Sequence, residues 1–389
     1  MTKTLAFILI TLVLDAMGFG LIMPVMPALL REIGDIPLAS AALVGGALAT
    51  VFAVMQFLFG PIVGAVSDRY GRRPVLLISL LVMAVDYVIM ALAQTFWLLF
   101  VGRIIGGMAA ATQSTATAVI ADISKPEEKA ARFGLVGAAF GLGFVLGPMI
   151  GGLLAEFGTR APFYAAGVLA AINVTFGYFV MPETVTNRTR RPFEWRRANP
   201  LGAFKHVGQN PQIRPLLLMF LLYQIAFHVY PAIWSYFGTA QFNWSERTIG
   251  LSLAAFGVSM ALVQGGLIRL ILKWFGDQGT VLYGLIFNIF AFLVLAFVTE
   301  GWIALLFTPI TALGAVVTPA LQGILSKMTP DDSQGELQGV LASISALAMI
   351  VSPLMMSSVF AKYAAEDACL LYTSPSPRDR TRSRMPSSA

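Results

Sequence analysis

Long runs of apolar residues alternate with short polar connections along nearly the whole chain. Each of these runs is long enough to cross a bilayer as a helix, which takes about 20 residues. The eleven runs fall near residues 5–30, 41–66, 74–93, 95–120, 133–154, 161–181, 213–237, 247–272, 280–298, 301–325 and 337–361. The pattern predicts an all-helical integral membrane protein, and we number these segments spans 1 to 11.

The connections also predict how the chain is divided. The longest of them, residues 182–212, is basic and polar and predicts a cytoplasmic linker between an N-terminal six-span half, 1–181, and a C-terminal half of five spans, 213–369. Secondary transporters are often built from two such repeated halves. Residues 370–389 contain no span and four arginines, so we expect a disordered and non-native tail in place of a twelfth helix.

Composition and charge agree with a membrane protein. Hydrophobic residues make up 57% of the chain and charged residues 12%, about half the charged fraction of a soluble domain. The net charge of +6 is spread over loops and forms no aromatic-interleaved patch for nucleic acid. Lysine and arginine concentrate in the even-numbered connections, which predicts a cytoplasmic N-terminus. The single cysteine, Cys369, excludes a disulfide framework.

The connection between spans 2 and 3, Gly64–Pro74, predicts a short charged turn. Its glycines, Gly64 and Gly71, suit close backbone approach and a positive φ. Asp68 is expected just past the end of span 2, where it can pair with arginine or accept hydrogen bonds from a helix N-terminus. Three arginines are expected to hold the turn on the cytoplasmic side: Arg69, Arg72 and Arg73.

Ionisable side chains inside the spans are rare, so each is a functional candidate. They are Asp15 in span 1, Asp86 in span 3, Arg103 in span 4 and His228 in span 7. Burial disfavours the charged form of an acid, and a nearby cation favours it. An acid balanced between these two influences can take up a proton from one side of the membrane and release it toward the other. The alternative is a buried ion pair that fixes helix register. For His228 the alternatives are a proton relay and a neutral hydrogen-bond partner between helices.

Other side chains in the spans suggest a ligand cavity and a packing surface. Amides are expected to line the cavity, and two aromatic rings are expected to stack on an aromatic ligand, although aromatic residues also collect at membrane interfaces. The amides are Gln56, Gln113, Gln224 and Asn288, and the rings are Phe227 and Trp234. In span 5, glycines at four-residue spacing predict a smooth packing face, and a proline predicts a kink: Gly143, Gly147, Pro148, Gly151 and Gly152. No nucleotide-binding, metalloprotease or nucleophile-elbow motif occurs, so an enzyme is not predicted.

These segments together resemble the drug/proton antiporters of the major facilitator superfamily, and most of all the tetracycline/proton antiporters of Gram-negative bacteria. The resemblance runs from span 1 to about residue 368. It is strongest at Leu14–Glu32, Ser67–Pro74 and Gly102–Gly107. It extends to Gly141–Gly152 and to Pro319–Gly323 with Gly335–Gly339. It implies the major facilitator fold, with two pseudo-repeated six-helix halves and alternating access.

The resemblance also implies roles for individual residues. It implies that Asp68 and the turn arginines gate the inner cavity, that Arg103 takes part in proton coupling, and that Asp15 meets substrate or proton. Gly147 and Pro148 would shape the span that separates antiport from leak. The implied partners are a small-molecule substrate, protons and the lipid bilayer, with no nucleic acid. A monomer in the bacterial inner membrane is expected, without a cofactor, while a tetracycline-type substrate can travel as a divalent-metal chelate.

The chain departs from the resembled family in its C-terminal half. Met260 stands where those exporters have a histidine in span 8, and Asn288 where they have an aspartate in span 9. In the counterpart of the gating turn, Gly265–Gly276, Lys273 replaces the equivalent of Asp68. The prediction is proton-coupled export of small amphipathic drugs, tetracycline-like by resemblance. The alternatives are a facilitator or symporter for a nutrient or metabolite, and a non-transporting membrane receptor or scaffold.

Overall fold

A computed structural model describes residues 3–110, 112–124, 128–185, 212–329 and 334–364, and these form helices and turns with no strand. Ten helical runs in this part of the chain are long and apolar enough to cross a membrane, and the longest, residues 246–297, has 52 residues. As one helix it would measure about 78 Å, more than twice the thickness of a bilayer core. It breaks at Gly276, where φ is 67°, and so supplies two spans. The prediction of eleven spans is confirmed.

Several spans are interrupted within the membrane. Spans 1 to 6 are Lys3–Ile22 with Met26–Gly34, Leu38–Tyr70, Arg72–Leu92, Phe96–Ala109 with Thr112–Ile123, Lys129–Leu154, and Ala161–Val180. Span 7 is Arg214–Phe227 with Val229–Phe242, and spans 8 and 9 run through Glu246–Leu262, a π-helical turn at Val263–Leu267, and Ile268–Phe297. Span 10 is Gly301–Thr311, a 3-10 stretch at Ala312–Val316, and Val317–Lys327, and span 11 is Gln334–Tyr363. Irregular backbone at membrane depth needs other groups to satisfy it or a cavity to line, so the interruptions indicate where to look for function.

The connection between spans 2 and 3 is much shorter than predicted. Span 2 stays helical to Tyr70 and span 3 begins at Arg72, so only Gly71, with φ 112°, lies between them. The expected turn at Gly64–Pro74 is therefore wrong, because no proline stops the helix before Gly71 and a single glycine costs a helix only about 1 kcal/mol. Asp68 lies in the last helical turn. Gly64 has no positive φ, and a Cβ atom there would meet open space.

The glycine face of span 5 packs as predicted. A Cβ atom on Gly143, Gly147 or Gly151 would lie 2.3 to 2.6 Å from a backbone oxygen of span 1. A Cβ atom on Gly152 would lie 2.6 Å from the carbonyl oxygen of Glu246 in span 8. Only glycine permits such close backbone approach. Pro148 lies inside a helix that continues past it to Leu154. Span 5 is therefore in close backbone contact with both span 1 and span 8.

The two halves, spans 1–6 and spans 7–11, contact each other near one end of the bundle. We name the two ends after the connections they carry, the Gly71 end and the Gly158 end. Described hydrogen bonds and ion pairs between the halves lie toward the Gly158 end: Thr50 Oγ1 to Ile350 O at 3.0 Å, Ser235 Oγ to Met23 O at 2.8 Å, and Arg247 to Glu156 at 3.0 Å. Close contacts of Gly46 with Ser357, and of Gly250 with Pro148, lie in the same region.

Toward the Gly71 end the spans are more loosely packed. Glycines on the half-spans that lead to this end have no neighbouring atom within 4 Å of a Cβ position: Gly60 and Gly64 in span 2, Gly134, Gly137 and Gly141 in span 5, and Gly265 and Gly266 in span 8. The same spans are in tight contact nearer the Gly158 end. The bundle is therefore closed at the Gly158 end and open toward the Gly71 end.

The linker and the tail lie mostly outside the described residues, at 186–211 and 365–389. Their predicted boundaries and disorder remain predictions.

Candidate functional site

Asp15 lies in the middle of span 1 and is partly exposed. It lines a narrow cavity between spans 1, 3 and 6 that has room for roughly one water molecule. Tyr87 and Asn173 line the same cavity. The side chain of Thr112 in span 4 lies beside the carboxylate, but its hydroxyl makes no well-formed hydrogen bond. Among the described ion pairs none involves Asp15. The proton-coupling role of Asp15 remains a prediction.

Asp86 and Arg103 form a buried ion pair between spans 3 and 4. Nη2 of Arg103 donates to Oδ2 of Asp86 at 2.6 Å, and Asp86 is fully buried. The guanidinium also lies over the ring of Phe52, 5.0 Å from its centroid. A Cβ atom on Gly106 would lie 2.5 Å from Oδ2 of Asp86, and one on Gly102 2.8 Å from Oδ1. This geometry fits the ion pair that fixes helix register, and a proton-coupling role for either residue remains a prediction.

Charged groups from three other spans converge on Arg72 at the Gly71 end. Its Nη1 lies 2.6 Å from Asp68, and its Nε lies 3.2 Å from Asp122 at the end of span 4. Glu183, after span 6, accepts hydrogen bonds from the backbone N–H groups of Arg72 and Arg73 at 2.9 and 3.2 Å. A carboxylate there complements the positive end of the span-3 helix dipole. Asp122 and Glu183 were not predicted as part of this site, although each lies close to the end of a span on the same predicted cytoplasmic side as Arg72.

The other two turn arginines make contacts of their own. Arg73 donates to the carbonyl oxygen of Tyr178 at 2.6 Å. Arg69 lies over the ring of Tyr70, 5.1 Å from its centroid. Arg72 alone therefore connects the turn to an acid of span 4.

The C-terminal half repeats this turn at Gly276. Gly71 and Gly276 are 205 positions apart in the sequence, and both have a positive φ. Asp277 follows the second turn and pairs with Lys327 at the end of span 10. Lys273, in the position that corresponds to Asp68, is exposed. The repeat confirms the alignment of the two turns that the sequence suggested.

Asn288 is buried in span 9 and is already satisfied by the backbone. Its Nδ2 donates to the carbonyl oxygens of Gly284 at 2.7 Å and Gly314 at 2.9 Å. The Tyr223 hydroxyl donates to the same Gly314 oxygen at 3.3 Å. Asn288 thus belongs to a polar cluster at the irregular part of span 10.

Gln224 and His228 lie one turn apart where span 7 is interrupted. Nε2 of Gln224 donates to Ser345 Oγ at 3.1 Å, and its Oε1 accepts from Thr318 at 3.3 Å. Nδ1 of His228 donates to the carbonyl oxygen of Gln224 at 2.7 Å. The partner of His228 is therefore in its own span, whereas one of the two alternatives predicted from the sequence was a partner on another helix. A role for His228 as a proton relay remains a prediction.

The aromatic candidates are placed differently from one another. Trp234 is buried near the Gly158 end, and its Nε1 donates to Ser252 at 2.9 Å. Trp234 therefore packs in the closed end of the bundle, and its stacking on a ligand remains a prediction. Phe227 is partly exposed and stacks on Tyr223, with ring centroids 5.8 Å apart. Met260 is partly exposed on span 8.

Gln56 bonds to the backbone of span 4. Its Nε2 donates to the carbonyl oxygen of Ala110 at 3.3 Å, at the interruption of that span. Gln56 therefore connects two spans, and its role as a substrate-cavity residue remains a prediction. The side chain of Gln113 lies outside the described part of the structure. In that part, no group of three or more His, Cys, Asp or Glu side chains is arranged to hold a metal ion.

Comparisons with known proteins agree with this arrangement. The sequence profile of the Major Facilitator Superfamily matches residues 8–353. The chain is 42% identical to the class C tetracycline resistance protein of Escherichia coli, covering 93% of this chain and 91% of that protein. It is 38% identical to the class G tetracycline resistance protein of Vibrio anguillarum, covering 90% and 88%. The crystal structure of the human organic anion transporter MFSD10 (TETRAN) superposes with a TM-score of 0.70 at 27% identity, over 95% of this chain and 96% of that one.

Proposed function

The chain belongs to the Major Facilitator Superfamily, and from this premise we propose that it exports a small amphipathic, tetracycline-like compound in exchange for protons. The observation that carries the proposal is Asp15, a partly exposed and unpaired acid in the middle of a span. A carboxylate is costly at membrane depth, so its presence there indicates that protons or cargo use it. The named functions of the tetracycline resistance relatives support the choice of substrate class.

Alternating access follows from how the two halves meet. They contact each other near the Gly158 end and separate toward the Gly71 end. The lysine and arginine distribution predicts that the Gly71 end is cytoplasmic, so this state is open to the cytoplasm and ready to load cargo. Rocking of the halves would close the Gly71 end and open the Gly158 end. Asp15 would take up a proton from the outer side and release it inside.

The proposal includes the setting of the protein. Multiple spans and bacterial tetracycline resistance relatives imply the bacterial inner membrane. A cytoplasmic N-terminus, a monomeric state and the absence of a cofactor are proposed with it. A tetracycline-type compound would travel as a chelate of a divalent cation, which would then be cargo.

One observation favours a second candidate, a facilitator or symporter for a nutrient. Asn288 stands where the resembled exporters have an acid, and here it bonds to the backbone. The close-packed glycines of span 5 support the antiporter instead, because the resemblance implies that Gly147 and Pro148 shape the span that separates antiport from leak. A receptor or scaffold would have no use for an unpaired acid such as Asp15.

Everted membrane vesicles test the proposed function directly. Respiration acidifies the vesicle interior, and a pH-sensitive dye reports proton efflux when tetracycline with Mg²⁺ is added, followed by a panel of lipophilic drugs. We expect efflux with the native chain and none with Asp15→Asn. Asp35→Asn is the matched control, since Asp35 is exposed and its φ of 47° suits asparagine. No efflux with any drug, or an unchanged response in Asp15→Asn, overturns the proposal.

A further inference from the structure

Two glutamines form the same contact in the two halves of the protein. Gln56 of span 2 donates from Nε2 to the carbonyl oxygen of Ala110 in span 4, at 3.3 Å. Gln264 of span 8 donates from Nε2 to the carbonyl oxygen of Ala315 in span 10, at 3.2 Å. The two alanines are 205 positions apart, the same interval that separates the two turn glycines. The glutamines are 208 positions apart, so Gln264 reaches its partner from about one helical turn further along its span.

Both accepting carbonyls lie where a helix is interrupted. The first helix of span 4 ends at Ala109 and the second begins at Thr112. Ala315 lies in the 3-10 stretch Ala312–Val316. A carbonyl at the end of a helix lacks its regular intrahelical donor, and the bilayer core offers no water to replace it. The glutamine amide donates to a carbonyl at the interruption and so ties it to a neighbouring span.

Each interruption also carries a polar cluster of its half. In span 4, Arg103 precedes Ala110 by about two turns, and Thr112, beside Asp15, follows it. In span 10, Gly314 precedes Ala315 and accepts the hydrogen bond from Asn288. The glutamines thus fix the backbone segments on which these clusters are built.

The two clusters differ in chemistry. The N-terminal one holds the carboxylates of Asp15 and Asp86. In the described parts of spans 7 to 11, carboxylates occur only near the ends of the spans, as at Asp277 and Glu300. The cluster around Asn288 is polar and has no acid. Proton binding therefore suits the first cluster and not the second.

We propose that Gln56 and Gln264 are positioning residues with separate effects on transport. Gln56 holds the cluster that contains Asp15 and Asp86 in place, and Gln264 holds the uncharged cluster around Asn288, through which we expect it to affect drug binding. This inference rests on the proposed function, since the two effects are defined by proton and drug movement. It assigns neither glutamine a direct contact with proton or drug.

Methionine substitutions separate the two effects in everted vesicles. Gln56→Met and Gln264→Met keep the side-chain length and remove the amide donor. A lost hydrogen bond to a buried carbonyl changes an equilibrium by roughly five-fold or more. For Gln56→Met we expect that much loss of drug-driven proton efflux and a shifted pH profile, with an unchanged KM for tetracycline. For Gln264→Met we expect a KM raised by a similar factor, with an unchanged ratio of protons to drug. The same defect in both variants, or the reverse assignment, overturns the proposal.

A labelling experiment tests the two contacts without relying on transport. Cys369 is the only cysteine, so Cys369→Ser provides the background for single reporters. Thr115→Cys in span 4 and Ala320→Cys in span 10 are buried, and they too are 205 positions apart. We expect Gln56→Met to speed maleimide labelling at residue 115 only, and Gln264→Met to speed it at residue 320 only.

The unaffected reporter shows in each case that the rest of the protein is folded. Unchanged labelling at both positions would refute the role of the glutamines. If the native chain moved no protons with any drug, the proposed function would fail while the labelling rates still tested the contacts.

Discussion

Arg72 and Asp277 hold corresponding positions in the two halves and carry opposite charges. They are 205 positions apart, and each directly follows the positive-φ glycine of its turn. Arg72 pairs with Asp122 at the end of span 4, and Asp277 pairs with Lys327 at the end of span 10. These two partners are also 205 positions apart. The same interspan ion pair is thus built twice with reversed polarity.

The two pairs are expected to differ in strength. The side chain of Arg72 is 13% exposed and also contacts Asp68, whereas that of Lys327 is 68% exposed. Exposed ion pairs contribute about 0–1 kcal/mol. We expect Lys327→Ala to lower the free energy of unfolding within that range and Arg72→Ala to lower it by more. Melting of the purified protein in detergent, followed by tryptophan fluorescence, measures both. Equal shifts would show that burial does not set the strength of these pairs.

The buried pair of Asp86 and Arg103 predicts a compensated double variant. Removing one member of a buried pair leaves an uncompensated charge and costs about 3–5 kcal/mol. We therefore expect Arg103→Gln to lower the melting temperature strongly, and Arg103→Gln combined with Asp86→Asn to recover much of the loss. Size-exclusion chromatography with fluorescence detection after heating measures all three proteins. A double variant less stable than Arg103→Gln would contradict the pairing.

Gly71 and Gly64 are both glycines of the predicted turn, yet they should respond oppositely to alanine. Gly71 has φ 112° and ψ 148°, a region essentially restricted to glycine, where another residue costs about 1–3 kcal/mol. Gly64 lies inside a helix with open space at its Cβ position. Alanine there should raise the free energy of unfolding by about 0.5–1 kcal/mol. Melting temperatures of Gly71→Ala and Gly64→Ala should therefore fall on opposite sides of the native value. Similar shifts for both would argue against the short turn.

Spans and a helix packing face could be predicted from the sequence, whereas the side-chain pairings between helices could not. Run length identifies spans because a bilayer sets the length of every crossing. Four-residue spacing identified the packing face that includes Gly147, because helical neighbours recur at that interval. A buried ion pair was one of the alternatives predicted from the sequence, but the pairing of Asp86 with Arg103 was not, because it depends on which helix faces meet in three dimensions. The contact of Gln56 was missed for the same reason, since an interruption in span 4 must exist before its amide has a carbonyl to satisfy.

Gly147 and Gly141 lie on the same helix of span 5, but only Gly147 is in close contact with span 1. A Cβ atom on Gly147 would lie 2.6 Å from the carbonyl oxygen of Met17 and 2.8 Å from the Cα atom of Gly20, whereas one on Gly141 would meet nothing within 4 Å. Backbone cannot yield as a flexible side chain does, so Gly147→Ala must push span 1 away at a cost of about 1–3 kcal/mol. Since span 1 carries Asp15, drug-driven proton efflux should fall along with the melting temperature. Gly141→Ala should leave proton efflux unchanged and, like Gly64→Ala, should not lower the melting temperature. Two variants with the same loss of efflux and stability would show that the glycine face does not set the distance between these spans.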